Sequence, residues 1–382
     1  MRLRWDLFCS VVDNYGDIGI CWRIARELVS QHGQQVRLWV DDLESFQRIW
    51  PAIALGCGLQ QCEGVEVRAW STDMPEVEPA DVVVEAFACR VPEAFLLAMS
   101  ARSPKPVWVN LEYFSAEAWV AEHHGLSSPH PRLPLTQYFF IPGLGAGTGG
   151  VPGDPAELAT LRQFQVDARA VSVFRSALQI PQNPGLCVSL FAYENPAVWG
   201  LMRALAMHPQ RTTLLVPEGR VLAQVAAFPG LDPGFARNPQ PGQATSVEHL
   251  EVRVLPFLSQ DAYDRLVWSS DINFVRGEDS FVRAQFAGKP MVWQPYLQND
   301  DAHWHKLEAF SAQYMQGLPV TARIAMSEAW RVWNAGEIKP PAWQEWLGHL
   351  PEFQSQAQSW AIWLETQPGL VRELVKFCVS KL

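Results

Sequence analysis

Two carboxylates, Asp13 and Asp17, flank an Asn-Tyr-Gly turn in "FCSVVDNYGDIGICWRIARELV", residues 8–29. An acid pair at such a turn can grip a cationic or hydroxylic group and take a proton from it. The same string also fits a plainer reading, in which Asn14 and Gly16 make the turn and Asp17 caps the following helix by accepting its first N–H groups. Asp17 alone suits the cap; the pair suits chemistry at least as well. The string lacks the GxGxxG spacing of a dinucleotide fingerprint, which disfavours a nicotinamide enzyme.

A second cluster lies in "INFVRGEDSFVRAQFAGKP", residues 272–290. A strand-like run ends at Arg276 and Gly277, and Glu278, Asp279 and Ser280 open a helix. Free N–H groups at a helix start favour an anion. A diphosphate would gain from that helix end, the Ser280 hydroxyl and the Arg276 guanidinium. Glu278 and Asp279 would repel it unless they turn towards sugar hydroxyls. The alternative is an acidic N-cap, with Arg276 paired to a carboxylate. "SLFAYENP" places Tyr193 and Glu194 after a strand, and "LPFLSQDAYDRL" places Phe257 and Gln260 between a strand and a helix. An aromatic face and an amide suit a nucleobase, although core aromatics are commoner. In "QPYLQNDDAHWH", Tyr296 precedes Asp300, Asp301, His303 and His305. That group lacks a recognised metal-ligand spacing and reads as a polar helix start.

The elements that must position these residues alternate. Short β-branched runs ("WDLFCSVV", "QVRLWV", "DVVVEAF", "PVWVNL") are separated by helical patterns, which is the signature of βαβ units around a parallel sheet. A Gly-rich connector, "IPGLGAGTGGVPGDP", interrupts the pattern and reads as a surface loop. The alternation restarts with "LCVSLFAY" and runs to "PMVWQPY"; beyond residue 300 the chain reads as Trp-rich helices. Two α/β domains in tandem follow, over residues 1–178 and 179–357. A C-terminal helix, about 358–382, packs back on the first.

The 382 residues carry a formal net charge of −10, which disfavours a nucleic-acid binder. Seven cysteines without a CxxC read as buried, reduced thiols. No run reaches the ~20 apolar residues that a membrane span needs, and no signal-type stretch opens the chain, so a cytoplasmic enzyme without membrane contact is expected.

Taken together, "DNYGDIGICWRIARELV", "SLFAYEN", "PFLSQDAYDRLVWSSDINFVRGEDSFVRAQ" and "KPMVWQPYLQ" resemble the EarP family, GT-B protein-arginine rhamnosyltransferases that act on elongation factor P. The resemblance runs over essentially the whole chain. It implies two Rossmann-like domains facing each other across a cleft, the first binding the acceptor and the second the nucleotide sugar. It also implies an inverting transfer of L-rhamnose from dTDP-β-L-rhamnose to an arginine guanidine nitrogen, without a metal or other cofactor. Matched by motif, Asp13, Asp17 and Glu278 are the catalytic carboxylates. Asn14, Tyr193, Phe257, Gln260, Arg276, Asp279, Ser280 and Tyr296 hold substrate.

The chemistry makes independent sense of the acid pair. A guanidinium, with a pKa above about 12, is no nucleophile until a carboxylate takes or polarises one of its protons. Rival readings are a nucleotide-sugar epimerase, a GT-B enzyme with another acceptor, and a noncatalytic protein-binding module.

Overall fold

Valine-rich runs bounded by turns make the sheet centres. In the computed structural model, which describes residues 1–12, 15–71, 76–297 and 301–382, the chain divides into two units. One is Met1–Asp154 with Thr366–Leu382; the other is Pro155–Glu365.

The first unit holds strands β1 (Arg4–Cys9), β2 (Gln35–Val40), β3 (Leu59–Cys62), β4 (Val65–Ala69), β5 (Val82–Ala86), β6 (Val107–Leu111), β7 (Ser127–Pro129) and β8 (Thr136–Phe140). They lie in the order β3-β4-β2-β1-β5-β6-β8-β7, with β3 and β7 antiparallel at the edges and the rest parallel. Every residue of β5 and β6 is buried, as a sheet covered on both faces requires. Succession runs outwards from β1 on one side and from β5 on the other, with Trp5 paired to Val82 and Phe8 to Glu85. That reversal opens a crevice beyond the carboxyl ends of the two strands. A buried charge inside this sheet is fully engaged: Asp6 accepts from Arg37 Nε at 2.6 Å, Trp39 Nε1 at 2.8 Å and the Ala80 N–H at 2.8 Å.

The Gly-rich connector is only partly the surface loop expected. Gly149, Gly150 and Val151 are buried. Val151 N–H donates to Pro368 O at 2.8 Å, and Leu370 N–H donates to Val151 O at 2.9 Å, so the returning C-terminal segment is stitched to the connector. Glycine is required there: Gly150 has φ +79°, and a Cβ would lie 2.3 Å from Pro368 O.

The second unit holds β9 (Leu186–Leu190), β10 (Thr212–Pro217), β11 (Ala244–Val247), β12 (Leu250–Leu255), β13 (Ile272–Arg276) and β14 (Met291–Gln294), in the order β11-β12-β10-β9-β13-β14. Only β11 is antiparallel, and the succession reverses between β9 and β13. The Trp-rich C-terminal helices bury Trp330, Trp333, Trp343 and Trp346, with Trp333 and Trp343 set against Phe274 of β13.

The division falls at Asp154 and Pro155, earlier than residue 178. Helices Pro155–Val166 and Ala168–Ala177 belong with the second unit, tied there by Gln165 Nε2 donating to Trp268 O at 3.0 Å and by buried Arg283 meeting Glu157 at 2.8 Å. The chain re-enters the first unit at Thr366 rather than near 358. All seven cysteines are free thiols; Cys57 is exposed and Cys89 half-buried, contrary to the expectation of uniform burial. Among the described residues no helix is long and apolar enough to cross a membrane.

Candidate active site

In the first unit the loop after β1 reaches the reversal between β1 and β5. Asp13 and Asn14, two of the residues singled out from sequence, lie outside the described residues. Asp17 is described, and the cap reading of it does not hold. The N-cap position of helix Gly16–Ser30 is Tyr15, without a side-chain cap, and Asp17 sits inside the first turn. It is 1% exposed. One carboxylate oxygen accepts the Val12 N–H at 2.9 Å and the other accepts the Tyr113 hydroxyl at 2.8 Å. The loop is pinned from its other side by Asp41, which accepts from the Ser10 hydroxyl and, at 2.9 Å, from the Val11 N–H.

Tyr113 follows β6, and its ring lies flat on Phe87, which follows β5 (4.2 Å between centroids, 7° between planes). Both rings are half-buried. Nearby, buried Glu85 accepts from the Arg90 N–H at 2.8 Å and Gln137 Nε2 at 2.9 Å, and burial pushes its carboxyl above the usual range.

In the second unit β13 ends at Arg276, and Gly277, at φ +60°, turns the chain into helix Asp279–Phe286 with Glu278 at the N-cap and no side-chain cap. Arg276 is buried. Its guanidinium lies between two aromatic faces, 4.3 Å from the Phe191 centroid and 4.6 Å from that of Tyr193, and donates to Ala192 O at 3.3 Å. Ser280 does local work: its hydroxyl donates to Arg276 O at 2.5 Å and accepts from the Arg276 N–H at 3.2 Å. Gln260, buried at the start of helix Gln260–Ser269, donates to Asp279 at 3.4 Å, and Asp279 also lies 3.9 Å from Arg283.

Tyr296, 44% exposed, meets Tyr193 edge to face at 5.8 Å. Phe257 is half-buried, its N–H donating to Glu218 at 3.1 Å. Tyr193, Arg276, Ser280 and Tyr296 are thus linked by direct contacts at the carboxyl ends of β9, β13 and β14, and Gln260, after β12, meets Asp279 in the first turn of the helix that follows β13. A fixed cation, N–H groups and aromatic faces suit a nucleoside diphosphate ester.

The exposed Glu194 lies 3.9 Å from Arg220. Asp300 is outside the described residues; Asp301 takes φ +58° at the N-cap of helix Ala302–Tyr314, and His303 is buried on that helix. Among the described residues no group of three or more His, Cys, Asp or Glu is placed to hold a metal ion.

Four contributors were not read from the sequence. Phe191 stands two residues before Tyr193, and that spacing in "SLFAYEN" is a usable signal. Gln294, which accepts the Tyr193 N–H at 3.0 Å, carries no local signal, nor do Phe87 and Tyr113, which only the strand order brings near Asp17.

The family described as elongation factor P (EF-P) rhamnosyltransferase EarP matches residues 5–379. A protein-arginine rhamnosyltransferase of Pseudomonas putida is 48% identical over 383 residues, covering 100% of both chains. A solved structure concerned with EarP-mediated arginine glycosylation of translation elongation factor EF-P is 35% identical, covers 100% of both chains and superposes with a TM-score of 0.71. A UDP-glucosyltransferase from Polygonum tinctorium shares 11% identity with a TM-score of 0.54, over 99% of this chain and 98% of its own; that likeness is one of fold, the GT-B fold of glycosyltransferases.

Proposed function

Because this chain belongs to the EarP family of EF-P rhamnosyltransferases, we propose that it transfers L-rhamnose from dTDP-β-L-rhamnose, with inversion, to a guanidine nitrogen of one arginine of EF-P. The chain is a protein-arginine rhamnosyltransferase; donor, acceptor protein and residue roles are the proposal. The second unit holds the donor, with the thymine against Phe257 and Gln260 and the diphosphate at the helix N-terminus beside Arg276. Tyr193 and Tyr296 wall the site, Ser280 holds the Arg276 backbone, and Glu278 and Asp279 face the sugar. The first unit takes the acceptor, with Asp17, joined by Asp13 and Asn14, holding and deprotonating its guanidinium.

One observation carries this reading: the Arg276 guanidinium is buried between Phe191 and Tyr193, at the strand end that leads into the N-terminus of helix Asp279–Phe286. A fixed cation there stabilises the charge that develops as the diphosphate leaves, the task that a divalent ion performs in many sugar transfers. On the acceptor side, two carboxylates can clamp the planar guanidinium fork and leave one nitrogen with a lone pair for the anomeric carbon. The nitrogen–carbon bond forms, the carbon–oxygen bond to the diphosphate breaks, and the guanidinium proton passes to the carboxylate.

The test is mass spectrometry of EF-P incubated with this protein and dTDP-rhamnose in excess EDTA. A single deoxyhexose on one arginine is expected, and an unmodified EF-P beside an altered free sugar would point instead to an epimerase.

A further inference from the structure

The carboxylate of Asp17 is oriented by an arrangement that reaches across three strand ends. Strand order puts β1, β5 and β6 side by side, so the loops that follow them are neighbours. From the third comes Tyr113, whose hydroxyl donates to one Asp17 oxygen at 2.8 Å, while the Val12 N–H holds the other at 2.9 Å. Two fixed donors on opposite oxygens set the plane of the carboxylate, which is the coordinate a bidentate clamp on a flat guanidinium depends on.

Tyr113 is itself held. Its ring lies on Phe87 with 4.2 Å between centroids and 7° between planes. Phe87 is presented from an unusual backbone: Phe87, Ala88 and Arg90 take φ of +55°, +53° and +58°, a left-handed region that non-glycine residues rarely adopt. Surrounding bonds compensate. The Phe87 N–H donates to Leu111 O at 2.7 Å, the Ala88 N–H to Asn110 Oδ1 at 3.3 Å and the Arg90 N–H to Glu85 at 2.8 Å. Strained loops kept in place by buried polar residues occur where geometry matters to function.

We infer that Tyr113, supported by Phe87, is a positioning residue of the transfer reaction: it acts through Asp17, fixing the carboxylate plane that receives the acceptor arginine. This rests on the reading of Asp17 as an acceptor-side carboxylate. The hydroxyl transfers no proton to substrate in this scheme. Its removal leaves the charge of Asp17 in place but takes away one of the donors that set the carboxylate plane.

A double-mutant cycle tests this, with single-turnover rates on EF-P at saturating dTDP-rhamnose for wild type, Tyr113→Phe, Asp17→Asn and the double variant. Phenylalanine keeps the stack on Phe87 and removes only the hydroxyl. The rate with Tyr113→Phe is expected to fall about tenfold, the scale for losing one hydrogen bond to a charged group, with donor KM and melting temperature unchanged. In the Asp17→Asn background the same change should matter less than about twofold, because its target is already disabled. A wild-type rate in Tyr113→Phe beside a depressed Asp17→Asn overturns the positioning role and leaves the Asp17 reading standing. Equal losses on both backgrounds overturn it too, since Tyr113 would then act independently of Asp17. A near-normal rate in Asp17→Asn removes both.

Discussion

The two sheets reverse their strand succession in the same way and present opposite charges at the reversal. In the first unit the central strand β1 leads to a buried carboxylate, Asp17, held by an N–H and a hydroxyl. In the second, β9 leads to the aromatic pair Phe191 and Tyr193, which enclose the cation at the end of β13. The strands across the reversal carry the contrast in their last residues: β5 ends "VVVEA" and β13 ends "INFVR". Topology therefore supplies a crevice, and the few residues after each strand decide which sign of ligand it takes. An anion held by hydrogen bonds suits a guanidinium; a cation held by ring faces suits a diphosphate.

The largest effect expected from breaking this contrast comes from neutralising Asp17. Asp17→Asn keeps the size and one acceptor for Val12 or Tyr113 but loses the charge. Turnover should fall by a factor on the order of 10² or more, the usual scale for a positioned base, with little change in melting temperature. Single-turnover rates of rhamnose transfer to EF-P check it; a rate within a few-fold of wild type would return the loop to a purely structural role.

Much of this was legible in the sequence. The alternation of β-branched runs with helical patterns marks both sheets, and the arginine and acidic residues of "VRGEDS" sit at a strand-to-helix junction that periodicity alone locates. The helix start at Asp279 and the strand end at Arg276 agree with that reading. What could not be read depends on contacts distant along the chain. The Tyr113 bond to Asp17 spans 96 positions, and the Gln294 bond to Tyr193 spans 101. Capping by Asp17 is a fair local reading, but the helix begins at Gly16 with Tyr15 at the N-cap, two positions earlier than that cap requires, and the carboxylate turns back to Val12 and across to Tyr113. The connector at 142–155 read as surface because glycine and proline usually mark exposed loops; here its glycines admit a second backbone segment at Pro368.

A smaller effect sharpens the cationic side. Phe191→Leu removes one face of the Arg276 enclosure while keeping an apolar side chain. Loss of one cation–π contact of about 1 kcal/mol should weaken dTDP binding roughly fivefold and leave the acceptor side untouched. Titration calorimetry with dTDP reads it directly. Unchanged affinity would mean that the Tyr193 face suffices.

The smallest effect concerns Glu85, one of the buried carboxylates of the first unit. Burial raises Glu85 above the ordinary glutamate value, so the folded state binds its proton more readily than the unfolded chain. Its contribution to stability is therefore complete below the unfolded pKa, about 4.3, and is lost as pH rises through the raised folded value. Glu85→Gln removes that titration, and its melting temperature should depend less on pH across this window than that of the wild type. Parallel melting curves for the two proteins would contradict it.

If charge is divided between the units as proposed, anion for acceptor and cation for donor, donor affinity depends on Arg276 and not on Asp17. Calorimetric titration of dTDP-rhamnose into Asp17→Asn and Arg276→Gln, at one fixed salt concentration, tests it most directly. Wild-type affinity is expected in Asp17→Asn and a loss of about tenfold or more in Arg276→Gln, the scale of a charge-assisted contact to phosphate. Equal weakening in both variants, or wild-type affinity in Arg276→Gln, would contradict it.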